Sequence, residues 1–209
     1  MTATTESTSR RVPASRAIDA QTASLLFHDA HTAYGFTDAP VSDEELAELY
    51  GLMRFGPTAM NSQPLRITFI RSDEAKARLL PLLAEGNRPK SLSAPVVAIL
   101  AADTDFHEHL ARFLPQVPGA KDKFADDAAR TQAALFNATL QAGYFIIAAR
   151  AVGLDAGPMG GFNKAGIDAE FFAGTGLKSL LVVNLGHVAE GANNPRNPRH
   201  AYDEAVTVL

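Results

Sequence analysis

At 209 residues, with 46% hydrophobic and 20% charged side chains, the chain has the material for one well-buried domain and too little for two large ones. A formal net charge of −4 argues against a general nucleic-acid or anionic-membrane binder, since both need a basic face. The lack of cysteine excludes disulfides, thiolate nucleophiles and cysteine-based zinc or iron–sulfur sites.

Residues 1–20 are rich in Thr, Ser and Arg and have no apolar core, so they read as a flexible N-terminal arm rather than a secretory signal. The remainder, 21–209, reads as a single domain. No apolar run is long enough to cross a bilayer, and the expected location is the cytoplasm. Ala20 to Ala30 predicts a helix with Leu25, Leu26 and Phe27 turned inward. Ser42 with Glu45 three residues on is a capping box. The helix it opens carries Leu46, Leu49, Tyr50 and Met53 at helical spacing and stops at Gly56-Pro57.

Residues 56–64 then read G-P-T-A-M-N-S-Q-P, a corner whose two prolines fix φ and remove backbone donors. Polar side chains held on such a stiff loop suit a flat, polar-edged ligand, although the same residue types also build ordinary turns. Ile67 to Ile70 predicts a strand, and Ser72 caps a helix that runs through Leu79 and Leu83 to Gly86. Glu85 to Lys90 sets an amide, Asn87, three residues from a lysine at that helix exit. The run Ala94 to Leu100 is almost wholly apolar, as a central strand covered on both faces must be.

Asp126 to Val152 gives the longest helical signal and is apolar on more than one side, so it is buried in the core or against another subunit. Gly153 ends it, and G-L-D-A-G-P-M-G-G-F follows as a second, glycine-rich corner that lets backbone approach a ligand closely. Lys178 to Gly186 is another covered strand. Asn193 to Arg199 reads N-N-P-R-N-P-R, in a stretch from Gly191 to Tyr202 without a carboxylate, which points to an anion contact. Helices and apolar strands mixed in this way give a sandwich of about three layers, without the strict alternation of a Rossmann sheet. Neither G-x-G-x-x-G nor G-x-x-x-x-G-K-[ST] occurs. The D-T-D-F-H-E-H segment from Asp103 to His109 is not expected to bind metal, because His109 leaves the helical face shared by Asp103 and His107.

G-P-T-A-M-N-S-Q-P, E-G-N-R-P-K-S-L-S-A-P-V, the long helix with its G-P-M-G-G corner, D-A-E-F-F-A-G-T and the N-P-R-N-P-R tail occur in this order from about Leu25 to Leu209. On these pieces the chain resembles the FMN-dependent nitroreductase superfamily, and within it the branch of malonic semialdehyde (3-oxopropanoate) reductases of pyrimidine degradation. The resemblance implies an α+β fold: a three-layer α-β-α sandwich around a mixed, mainly antiparallel sheet, in an intertwined homodimer with FMN at the subunit interface. It implies that Pro57, Thr58 and Asn61 reach the partner's flavin, that Asn87 and Lys90 address the polar edge of the ring, and that Pro158, Met159, Gly160 and Gly161 line its other edge. Arg196 and Arg199 would bind the phosphate, with His31 and Thr32.

Two departures stand out. His31 replaces an arginine of that branch and supplies less charge as a neutral imidazole, and Gly160 replaces a frequent glutamate. The implied reaction is ping-pong: NADH or NADPH gives a hydride to flavin N5, and malonic semialdehyde takes it to become 3-hydroxypropanoate. Tyr34 and Arg66 are the candidate catalytic side chains, Tyr34 with His31 as a proton donor by location and Arg66 as the cation for a substrate carboxylate. A broad nitroaromatic or quinone reductase is the alternative, since Gln63-Pro64 matches the wider superfamily, and a non-catalytic flavin-binding module is a third reading.

Overall fold

Cap residues and prolines decide where each element of this chain starts and stops. The structure is a computed structural model that describes residues 17–209, and these separate into two units, 17–30 and 31–209. Of the expected N-terminal arm, residues 1–16 lie outside the described residues. In the first unit, helix α1 (Ala20–Ala23) starts at Asp19, whose carboxylate accepts from Thr22 N at 2.7 Å, and it runs into a π-helical turn, Ser24–His28. Leu25 and Phe27 were expected to face inward. Both are about half exposed, because the wider π turn breaks the 3.6-residue periodicity that would align them.

In the second unit, α2 (Asp43–Met53) opens on the expected capping box. Ser42 Oγ accepts from Glu45 N at 3.1 Å, and Glu45 Oε2 accepts from Ser42 N at 2.7 Å. Leu46, Leu49 and Met53 are buried, whereas Tyr50, at the flank of that narrow stripe, turns outward. Strand β1 (Leu65–Ile70) follows the corner. Helix α3 (Asp73–Leu79) ends earlier than its periodicity suggests, since Pro81 lacks a donor and tightens the chain into a 3-10 turn, Leu80–Leu82. After a 3-10 turn at Glu85–Asn87 comes a short helix that the sequence did not suggest, α4 (Arg88–Ser93). The remaining elements are β2 (Val96–Asp103), α5 (Leu110–Phe113), α6 (Asp127–Ala151), β3 (Asp155–Met159), α7 (Lys164–Phe171), β4 (Leu177–Gly186) and α8 (Tyr202–Ala205).

The strands form one sheet in the order β1-β2-β4-β3. The expected sheet was mainly antiparallel, and every pairing among these strands is so, with Ile67 opposite Leu100, Val97 opposite Asn184 and Met159 opposite Val182. All eight residues of β2 are buried, as a central strand between two helical layers requires. One layer holds α2 and α6 over Val96, Ala98, Leu100, Val183 and Leu185. The other packs Leu79, Leu83 and Ile167 over Val97, Ile99 and Val182.

The glycine-rich corner differs from expectation at its centre, which is strand β3 rather than a turn. Pro158 is tolerated there because β3 is an edge strand. Ala156, on the same side of the strand as Pro158, turns its carbonyl outward to Ala33 N (3.1 Å), so the donor that Pro158 lacks is not needed by the ladder. Gly153 ends α6 at a φ of 82°, as a C′ residue should.

Replacing Ser42 with Ala is expected to destabilise the fold by about 1 kcal/mol, read as a lower denaturation midpoint with an unchanged m value. The Ser42 backbone bond holds the Glu45 carboxyl below the ordinary glutamate range. Its contribution is therefore present above that range and fades as pH falls through the lowered value, so a Glu45→Gln variant should converge with the wild type in acid.

Candidate functional site

The corner at 56–64 is held from the long helix. Asn137 and Gln141 lie one turn apart on the inward side of α6, 3% and 4% exposed. Asn137 Oδ1 accepts from Ala59 N at 2.7 Å, and Gln141 Oε1 accepts from Leu65 N at 3.0 Å, so the two amides grip the two ends of the corner. Within it, Thr58 Oγ1 accepts from Gln63 N at 3.1 Å, and Asn61 Nδ2 donates to Phe113 O at 2.9 Å. Met60, Asn61 and Gln63 all carry positive φ. Pro57 is exposed, Thr58 is half-buried and Asn61 is exposed.

A second group of the expected residues gathers at the β3 edge. Asn87 Nδ2 donates to Gly161 O at 2.8 Å, and Ala84 N donates to the same oxygen at 2.9 Å. A Cβ on Gly161 would stand 2.9 Å from Asn87 Nδ2, which explains the glycine, whereas a Cβ on Gly160 would meet no heavy atom within 4 Å. Lys90 Nζ lies 4.9 Å from the centroid of the Tyr34 ring, and no carboxylate pairs with it among the described residues. Burial pulls the Lys90 ammonium below the usual lysine range. Met159 is buried against Ser91, and Pro158 precedes it on the edge strand.

His31 and Thr32 lead into Ala33, which bridges Asn193 of the C-terminal tail and donates to Ala156 O. Gly157 belongs to the same contact: an added Cβ there would stand 2.7 Å from Ala33 O. Farther along the tail, the charge of Arg196 acts on Arg150 at the end of α6. Burial first, and then Arg196, pull the Arg150 guanidinium below its usual range, while Asp155 opposes both. An anion nearby would relieve that repulsion. Arg199 turns instead to its own chain, donating to Asn197 O and Pro198 O.

Apart from the tail arginines, most of the expected residues therefore fall into two sets. Asn87, Lys90, Tyr34 and the 158–161 segment share one cluster at β3, approached by His31 and Thr32. Pro57, Thr58 and Asn61 sit before β1, at the opposite edge of the sheet. Arg66 is committed elsewhere: its Nη2 lies 2.6 Å from Asp103 Oδ2, and its Nη1 donates to Gln63 O and Leu65 O. Asp103 is thereby occupied, and no group of three metal-ligating side chains occurs among the described residues. The sequence reading missed Asn137, Gln141 and Arg150. The signal for the first two was present, as polar amides four apart on an apolar helix face have to find buried partners.

Replacing Asn137 with Ala leaves Ala59 N without its acceptor and should cost about 1–3 kcal/mol in chemical denaturation.

The nitroreductase family model matches residues 29–187. A protein of Leptothrix cholodnii, provisionally named NADH dehydrogenase/NAD(P)H nitroreductase, is 50% identical over 194 residues, covering 92% of this chain and 98% of its own. One of the same provisional name from Streptomyces coelicolor is 53% identical over 190 residues, covering 90% and 94%. Among solved structures, a provisionally named nitroreductase in complex with FMN from Exiguobacterium sibiricum superposes with a TM-score of 0.79 at 20% identity, over 92% of this chain and 98% of that one.

Proposed function

The chain belongs to the nitroreductase family, and on that footing we propose that it is an FMN-dependent NAD(P)H oxidoreductase of the cytoplasm that reduces malonic semialdehyde. The observation that carries the flavin reading is the β3-edge cluster. A flat ring with a polar edge needs an open wall, fixed donors and a cation. Gly160 leaves the wall open, Asn87 is oriented by Gly161, and Lys90 is a half-buried ammonium without a carboxylate partner among the described residues. Arg196 of the tail, whose charge acts on Arg150, would suit a phosphate. When bound, FMN supplies two-electron chemistry, accepting a hydride from NAD(P)H and passing it to the oxidised substrate. Lys90 would set a positive charge against the ring's polar edge, where reduction builds negative charge. Tyr34, whose ring lies against that ammonium, is the candidate proton donor of the cluster.

The same reading has the protein act as a homodimer. The corner and the cluster lie at opposite edges of one sheet, so a ligand touched by both takes them from two copies. On α6, Phe136, Leu140 and Tyr144 recur every four residues and are 64%, 42% and 43% exposed, an apolar stripe that a second copy would cover. The second reading, a nitroaromatic or quinone reductase, is favoured by the names of the relatives and by Gln63-Pro64 in the corner.

The purified protein should be yellow, bleach with NADH or NADPH, and be reoxidised faster by malonic semialdehyde than by a nitroarene or a quinone in stopped flow. Faster reoxidation by either of the latter shifts the assignment to the second reading. Colour that no reductant bleaches leaves a flavin-binding module, and a colourless protein that ignores added FMN overturns the proposal. A Lys90→Ala variant should bind FMN at least about tenfold more weakly in a fluorescence titration, and diluting the wild type until the dimer dissociates should release FMN.

A further inference from the structure

A cavity of about 490 Å³ opens beside the corner, between α2, β1 and α5. We propose that it is a carboxylate-recognition pocket, which takes organic acids with an apolar body and holds the acid head on Arg112 and Arg54. Its function as a substrate pocket rests on the flavin reading above, while its binding property does not.

The floor is apolar: Met53, Leu65, Ile67 and Phe69 line it. Three arginines, 54, 66 and 112, stand around that floor, and no acidic residue lines the cavity. Arg66 is neutralised by Asp103 and spends its other nitrogen on backbone carbonyls. Arg54 and Arg112 differ, since neither has a carboxylate partner among the described residues. The Arg112 guanidinium lies 5.0 Å from the Phe113 ring centroid, and that of Arg54 lies 5.8 Å from those of both Tyr50 and Phe55.

A guanidinium held by ring faces and not by a carboxylate keeps its N–H groups available for a bidentate carboxylate. In a chain with a net charge of −4, two such cations kept clear of acids around an apolar cavity fit an amphipathic anion. The volume decides what kind. Cavities of about 300–1,000 Å³ hold ligands of drug size, so this one has room for an aromatic ring or a medium-length chain, and a three-carbon acid fills only a fraction of it.

The cavity also shares its wall with the corner. Gln63 lines it, and Phe113, another wall residue, accepts the hydrogen bond from Asn61. An acid held by Arg112 thus extends along the segment that the flavin reading places at the partner's cofactor. The reducible substrates of this site are acids as a class, and malonic semialdehyde is their smallest member here.

The test uses the protein as purified with FMN, and compares 4-nitrobenzoate with the neutral acceptors nitrobenzene and 4-nitrobenzyl alcohol. Arg112→Gln and the double variant Arg54→Gln/Arg112→Gln should lower kcat/KM for 4-nitrobenzoate by about tenfold or more, through KM rather than kcat. They should leave the neutral acceptors unchanged, as a Lys123→Gln control should for all three. The preference for the acid should also fall as salt rises. Equal losses on acid and neutral acceptors, or no loss on either, overturn the proposal. Calorimetry with benzoate separates it from the flavin reading. Benzoate binding by a protein that reduces nothing keeps the pocket and removes the reading. No benzoate binding by a protein that reduces nitroarenes removes the pocket, and points to a second copy covering it.

Discussion

Three non-glycine residues in one corner, Met60, Asn61 and Gln63, hold their backbones in the left-handed region at φ of 56°, 50° and 44°. Each such conformation costs on the order of 1 kcal/mol or more and persists only where the surroundings over-determine it. Here the surroundings are two buried amides of α6, which supply acceptors to Ala59 N and Leu65 N, together with the internal bond from Gln63 N to Thr58 and the bond from Asn61 to Phe113. Buried amides left without partners would themselves be unfavourable, so the helix needs the corner as much as the corner needs the helix. The placement of Asn61, Gln63 and the neighbouring cavity depends on this mutual satisfaction.

The same helix shows where sequence is a sufficient guide and where it is not. Its ends were legible, because Asp126 and Gly153 act locally as cap and C′ residue. Its apolar width was legible too, but which part faces the core was not. Phe136 and Tyr144 are outside while Asn137 and Gln141 are inside, on the side they share with Ala138, Ala142 and Phe145, because the corner's donors at Ala59 and Leu65 need acceptors there. β2 announced itself as central through an uninterrupted apolar run. β3 did not, since D-A-G-P-M has little strand propensity and is a strand only because β4 and Ala33 supply its partners. The stop of α3 at Leu79 could have been read from Pro81. Tertiary contacts are what the missed features have in common.

The arginines make the point for the candidate site. Sequence shows how many there are and which lie near a motif, but not which are already neutralised. Arg66, beside the corner, is spoken for by Asp103, whereas Arg112, remote from any motif, is not. Arg150 reads as an ordinary C-terminal helix cation until the fold brings Arg196 to it. Charge availability is a property of three-dimensional neighbours. The Gly161 contact with Asn87 is similar, in that the glycine and the amide are legible separately and meaningful only together.

The two edges of the sheet are not alike, and this limits how copies of the chain can join through their backbones. At β3, Pro158 offers no donor, and the segment bearing Ala33 already occupies the outward carbonyl of Ala156, so no further strand can be added there. β1 pairs with β2 alone among the described strands. A sheet open at both edges can template an indefinite ribbon, the route to aggregation, whereas a sheet open at one edge can be extended only once. Any association through β1 would therefore end at a closed pair, since the proline that looked out of place in a strand keeps the other edge from pairing further.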